Sequence, residues 1–252
     1  MKIGVFDSGV GGLSVLKSLL DSKLFSEIIY YGDTARVPYG NKDKATIIRF
    51  SLECVEFFIP HKIDLLIVAC NTVSAYALES MQKIAPFPII GVVESGVLSV
   101  SNKIYNKNAK ILIIATKATI ESGIYEKNLR ALGYENLVSL QTGLFVPLVE
   151  EGILKGEILE SSFKYYFGNR FKGKSAPEAI ILACTHFPLI ASEIRAYFEN
   201  KPILIHSGEA IVEFLRQKYT IDSHNFKTPK VQFYASGDKA TLESTAKLWL
   251  KS

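Results

Sequence analysis

The sequence predicts an α/β fold of two pseudo-symmetric lobes, each a mainly parallel sheet flanked by helices, with the functional site in the cleft between them. Three observations carry that expectation. Short runs rich in β-branched residues alternate from end to end with amphipathic stretches of ten or more residues. Runs such as IDLLIVAC (63–70) and EAIILAC (178–184) are apolar at consecutive positions, as in strands buried on both faces. One strand-and-turn pattern occurs twice, as IVACNT (67–72) and ILACTH (181–186).

In chain order, strands are expected at 2–6, 27–31, 64–69, 89–93, 110–115, 137–141, 178–183, 202–205 and 230–235. A helix starting near Val10 follows the first strand. Further helices are expected at 44–59, where Ile47, Phe50, Cys54 and Phe57 recur at helical spacing, and at 72–84, 118–132, 156–167, 208–219 and 239–251. The halves map onto each other. Segments 67–72 and 89–91 match 181–186 and 203–205 at an offset of 114, and 2–6 and 28–31 match 111–115 and 137–140 at 109. A loop difference of five residues accounts for the change, so the pattern reads as a duplicated lobe. The crossover from one lobe to the other is expected near 94–97.

Ligands of parallel sheets sit beyond the carboxyl ends of the strands. Those stations carry Asp7-Ser8, Asp33, Cys70-Asn71-Thr72, Glu94-Ser95, Thr116, Cys184-Thr185-His186 and His206-Ser207. If the lobes face one another, Cys70 and Cys184 look across a shared cleft.

Composition narrows the class. With 252 residues, 48% apolar and 21% charged, the chain is neither disordered nor a disulfide scaffold. No apolar run reaches the roughly 18 residues of a membrane helix. MKIGVFDSG enters a strand directly, without the basic and apolar regions of a signal peptide. Three cysteines, an odd number, are expected as free thiols in a reducing cytoplasm. The net charge of +4 is scattered. The densest basic cluster, Arg170, Lys172 and Lys174, reads as a solvated loop, so nucleic-acid binding is not expected.

Several constellations can carry chemistry. In FDSGVGGLSVLKSL (6–19) a glycine-rich turn joins strand to helix, but Ser14 stands where the dinucleotide fingerprint needs glycine. Asp33 keeps a minor nucleotide reading open as a ribose-binding acid. Asp7 either caps the following helix or points into the cleft. Cys54 reads as helix core. Cys70 and Cys184 precede polar residues that open helices, a position that lowers a thiol pKa. Facing thiols support a redox disulfide, a metal site with His186, or proton transfer at a carbon from opposite sides. His186 is placed to exchange protons with Cys184. His61, His206 and His224 read as structural. Ser8, Asn71, Thr72 and Thr185 suit gripping carboxylate and ammonium groups, and Gly40, after Tyr39, permits close backbone approach.

The blocks FDSGVGGLSV (6–15), YYGDTARVPYG (30–40), VACNTVSA (68–75), ACTHFPL (183–189) and IHSGEAIVE (205–213) together resemble the cofactor-independent glutamate racemases of the aspartate/glutamate racemase superfamily. The resemblance implies interconversion of L- and D-glutamate by two cysteines, with no pyridoxal phosphate, metal or nucleotide. By position it assigns Cys70, assisted by Asp7, to the D-isomer and Cys184, assisted by His186, to the L-isomer. It carries over Asp7, Ser8, Tyr39, Gly40, Asn71, Thr72, Thr185 and His186 as substrate contacts, places Thr116 and Thr119 nearby, and sets Glu150 beside the histidine. It implies that 209–252 return to join 1–95 in the first lobe, with 96–208 as the second. It also implies a cytoplasmic homodimer supplying D-glutamate for peptidoglycan. Racemization of aspartate, or an added regulatory binding role, stand as alternatives.

Overall fold

The computed structural model describes residues 1–168, 170–171, 175–219 and 229–251. The expectations for Lys172, Lys174 and His224 lie outside the described residues. The chain opens with β1 (Lys2–Asp7), α1 (Leu13–Ser22), β2 (Glu27–Gly32), α2 (Lys44–Phe58), β3 (Leu65–Val68), α3 (Asn71–Tyr76), α4 (Leu78–Ile84) and β4 (Ile89–Gly91). Helix α5 (Val92–Lys103) crosses to β5 (Ile111–Ala115), α6 (Lys117–Glu121), α7 (Ile124–Ala131), β6 (Leu137–Gln141), α8 (Phe145–Glu150), α9 (Glu157–Phe167), β7 (Ala179–Ala183), α10 (Ala191–Tyr197) and β8 (Ile203–His206). Then come α11 (Ser207–Lys218), β9 (Lys230–Ala235) and α12 (Lys239–Trp249).

Two sheets result, ordered β4-β3-β1-β2-β9 and β6-β5-β7-β8, with every pairing parallel. Reversed, the second order is β8-β7-β5-β6, the first sheet's order under the sequence offsets. The register is not identical. Ile3 pairs with Leu65, yet in the second sheet Leu112 pairs with Ile180, one residue on from where the offsets place it. Strand β9 lies beside β2, so the C-terminal segment returns to the first sheet.

Period-two side-chain direction explains why the strands are apolar throughout. Ile3, Val5, Leu65 and Ile67 face one core, while Phe6, Leu66 and Val68 face a second on the opposite side of the sheet. In the second sheet Leu112 and Ile114 join the first of these cores, and Ile111 and Ile113 face a third. One apolar cluster is therefore shared by both sheets and ties the lobes together. Helix α11 packs against both α5 and α1 within this junction.

Four expectations need correction. The strand expected over 89–93 stops at Gly91, and Val92 opens α5, which places Glu94 and Ser95 in a helix instead of at a strand end. Burying Val92, Val93, Val97 and Val100 outweighs their β preference. The crossover near 94–97 is thus a helix. The helices expected at 72–84 and 118–132 are each broken, at Ala77 and at 122–123, and α1 starts at Leu13 instead of near Val10. Helices α8 and α10, six and seven residues long, are too short to show a helical period in sequence. Among the described residues no helix is long and apolar enough to cross a membrane.

Cys54 lies on the buried face of α2 beside Val55 and Phe58, in a core that extends to Cys70, and does not itself line the cleft. Burial pushes its thiol well above the ordinary range. Cys54→Ala is expected to cost about 1 kcal/mol in urea unfolding, the scale of one deleted buried atom, while every cleft-dependent property stays at the wild-type level.

Candidate active site

The carboxyl ends of β1, β3, β5 and β7 converge on a cleft of about 330 Å³. Its floor holds Cys70 after β3 and Cys184 after β7, with Ser8, Asn71, Thr72, Thr116, Thr185 and His186 around them. Val37, Pro38, Tyr39 and Gly40 wall the first-lobe side, and Val146, Pro147 and Glu150 of α8 the other. Asp7 and Thr119 do not line it. They stand one layer behind.

Each cysteine has its own partner. The Cys70 thiol donates to Ser8 Oγ at 3.4 Å. Burial, reinforced by the charge of nearby Asp7, pushes this thiol up to about 12. The sequence expectation of a thiol lowered by a helix N-terminus is therefore corrected for Cys70, because burial outweighs what the six-residue α3 contributes. Cys184 lies 3.7 Å from Nδ1 of His186, whose Nε2–H donates to Glu150 Oε1 at 2.9 Å. Burial opposes a charge on His186, but the hydrogen bonds to Cys184 and Glu150 prevail and hold it up at about 10. The ring of Trp249 stands edge-on to His186 with centroids 6.3 Å apart.

Asp7 is fully buried and does not cap α1, whose N-cap is Gly12. Its carboxylate accepts from the Gly9 N–H at 2.9 Å and from Thr185 Oγ1 at 3.4 Å. Burial pushes it above its ordinary value, against the pull of the His186 charge and of the Gly12 and Gly9 N–H groups. It acts on Cys70 through its charge, while the thiol's own hydrogen bond is donated to Ser8. The hydroxyls of Thr72, Thr116 and Thr119 form a triangle with sides of 3.1, 3.0 and 3.2 Å that bridges α3 and the start of α6.

Two glycines allow the lobes to meet. A Cβ at Gly11 would lie 2.3 Å from Thr185 Oγ1 and 2.6 Å from His186 Cε1, and one at Gly40 would lie 2.5 Å from Thr116 Cβ. No side chain fits at either place.

Some residues named from sequence do other work. The Tyr39 hydroxyl donates to Asp33, which also accepts from Arg36 and from Ser236 Oγ at 2.6 Å. The Asp33 carboxylate is thus fully engaged in tying the 33–40 loop to the end of β9, which removes its nucleotide reading. Asn71 spends its side chain on Tyr125, which donates to Oδ1 at 2.6 Å, and on Ser207, whose Oγ accepts from Nδ2 at 3.2 Å. Among the described residues no three His, Cys, Asp or Glu side chains are grouped to hold a metal ion. Sequence reasoning placed Ser207 at a strand end but missed Tyr125 and the apolar wall of α8. FVPLVEE was the available signal for that wall.

Residues 14–215 match the model of the Asp/Glu/hydantoin racemase family. A glutamate racemase of Helicobacter acinonychis is 57% identical, covering 100% of both chains. The crystal structure of glutamate racemase from Campylobacter jejuni superposes with a TM-score of 0.94 at 56% identity, covering 100% of this chain and 98% of that one. The glutamate racemase of Francisella tularensis, solved in complex with D-glutamate, superposes at 0.85 with 34% identity, covering 100% of this chain and 94% of that one.

His186 links the site to stability. Its folded value of about 10 lies above the roughly 6.5 of an unfolded histidine, so the protonated fold is favoured. The contribution is complete below about pH 6.5 and is lost as pH rises through about 10. Urea midpoints measured from pH 6 to pH 10 are expected to fall along this window, and His186→Asn is expected to flatten that slope.

Proposed function

The chain belongs to the Asp/Glu/hydantoin racemase family, and on that premise we propose that it interconverts L- and D-glutamate by moving one proton off, and another onto, opposite faces of the α-carbon. The observation that carries this reading is the pair of cysteines at equivalent strand ends of two sheets with matching strand order, both lining one cleft. Inversion of a stereocentre needs an acid and a base on opposite sides, and duplication of a lobe supplies them.

In the proposed cycle Cys184 takes the α-proton of L-glutamate, and Cys70, neutral at rest, then delivers its proton to the other face of the carbanion. The product is D-glutamate, and Cys70 is left as a thiolate. The reverse direction exchanges these roles. Between turnovers Cys184 gives the proton it took to solvent and Cys70 regains one from solvent; the protonated His186 stabilises the Cys184 thiolate, and the charge of Asp7 favours the neutral Cys70.

An amino acid's α-proton is too weakly acidic for a thiolate to remove unaided. Charge developing toward the α-carboxylate must be met by donors already in place. The Thr72, Thr116 and Ser8 hydroxyls line the cleft as such donors, and Thr119 behind them holds the two threonines in place. Val37, Pro38, Val146 and Pro147 surround the opening with apolar surface, which lowers the local dielectric and strengthens those contacts. The D-glutamate formed would serve peptidoglycan synthesis in the cytoplasm.

Cys70→Ser and Cys184→Ser are each expected to lower kcat by at least about a hundredfold, the usual scale for removing a positioned acid or base. The change in optical rotation of enantiopure glutamate measures it. In heavy water, two bases predict deuterium entering the product and sparing the recovered substrate. Aspartate, shorter by one methylene, is expected to be at least about tenfold poorer in kcat/KM. Full racemization by both serine variants would refute the two-cysteine mechanism.

A further inference from the structure

The two catalytic turns are each held by a hydroxyl from the opposite lobe. Ser14, on α1 of the first lobe, donates to the backbone carbonyl of Thr185 at 2.6 Å, one residue after Cys184. Tyr125, on α7 of the second lobe, donates to Asn71 Oδ1 at 2.6 Å, one residue after Cys70. The Tyr125 contact is buried, and the Ser14 contact is half-buried. Tyr125 is 2% exposed and Asn71 2%. Neither hydroxyl belongs to the cleft lining, so neither is placed to touch substrate.

The contacts are specific to their turns. Asn71 also donates to Ser207 Oγ, at the start of the helix that leaves the second sheet, so its side chain is gripped at both ends by residues beyond β8 or on α7. Thr185 is gripped by α1 while its own hydroxyl donates to Asp7. A turn fixed in this way cannot rotate without breaking a buried hydrogen bond. Positioning matters here because proton transfer from carbon is steep in distance, and a small displacement of a sulfur raises the barrier of the step it performs.

We propose that Tyr125 and Ser14 are positioning residues of opposite sense, Tyr125 aligning Cys70 and Ser14 aligning Cys184, each acting from the other lobe. This rests on the racemase reading above. It also goes further, because it assigns each residue to one of two successive proton transfers. When the Cys70 transfer is slowed, it limits the rate in both directions. The primary isotope effect with α-deuterated D-glutamate then rises, and that with α-deuterated L-glutamate falls. Slowing the Cys184 transfer does the reverse. A variant that merely loosens the fold leaves the ratio of the two effects where it was.

The test compares Tyr125→Phe and Ser14→Ala with the wild type, using both α-deuterated enantiomers. Each variant is expected to lose about three- to tenfold in kcat/KM, the scale of one hydrogen bond. The D-over-L ratio of isotope effects is expected to rise in Tyr125→Phe and to fall in Ser14→Ala. Tyr134→Phe is the matched control, since Tyr134 is a buried tyrosine of the second lobe whose hydroxyl donates to the Ile104 carbonyl, away from the cleft. It is expected to lower stability and leave the ratio unchanged. Ratios that stay at the wild-type value, or move in the same direction in both variants, would overturn the assignment while leaving the racemase reading intact. A wild-type protein without glutamate racemase activity would overturn that reading and this inference together.

Discussion

The rest of the site depends on how closely two turns from different sheets approach each other. The turn after β1 runs so near the turn after β7 that a single methyl at Gly11 would collide with both Thr185 and His186. That proximity lets Asp7 of one sheet accept a hydrogen bond from Thr185 of the other, and places the charge of His186 where it acts on Asp7. Gly40 does the same on the other wall, where the 33–40 loop rests on Thr116. Removing a side chain at two positions costs some backbone entropy in the unfolded chain. It is offset by an apolar core continuous through both sheets, which holds the lobes at this separation.

Within that frame, equivalent positions have unequal surroundings. Cys70 and Cys184 occupy the same station in two sheets of matching order. Cys70 is nevertheless held neutral by burial and by the charge of Asp7, whereas Cys184 lies beside a protonated histidine braced by a glutamate. A symmetric scaffold with asymmetric electrostatics suits a reaction whose two substrates are mirror images, since the protein around them is chiral and cannot treat both alike. Hydrogen-bonded partners behind each sulfur, Ser8 on one side and His186 with Glu150 on the other, set these differences.

Much of the fold was legible because a parallel sheet buried on both faces leaves an unmistakable trace. Runs such as ILIIA at 111–115 have no polar interruption, and the strands lie within two residues of their expected ends. The exceptions have two causes. Val92 and Val93 look like strand, but they are helical because the tertiary contact with α11 rewards a buried helix there. Short α8 and α10 carry too few residues for a period, although α8 supplies the cleft with Val146, Pro147 and Glu150. In the site, Cys70, Cys184 and His186 were legible from the rule that ligands meet strand ends. Asp33 was not, since an acid at a strand end looks the same whether it faces a ligand or is consumed by Arg36, Tyr39 and Ser236.

The class of fold, the duplicated halves and the division of three cysteines into one in the core and two at strand ends are written along the chain, because they are local or repeated features carried by periodicity and matching motifs. Which groups those two cysteines meet follows only from how the chain folds on itself. Ser14 against Thr185 and Tyr125 against Asn71 are separated by 171 and 54 positions along the chain. No local pattern encodes such pairings. They exist because two sheets dock through a shared apolar core, and the thiol environments follow from the burial and charges which that docking brings together.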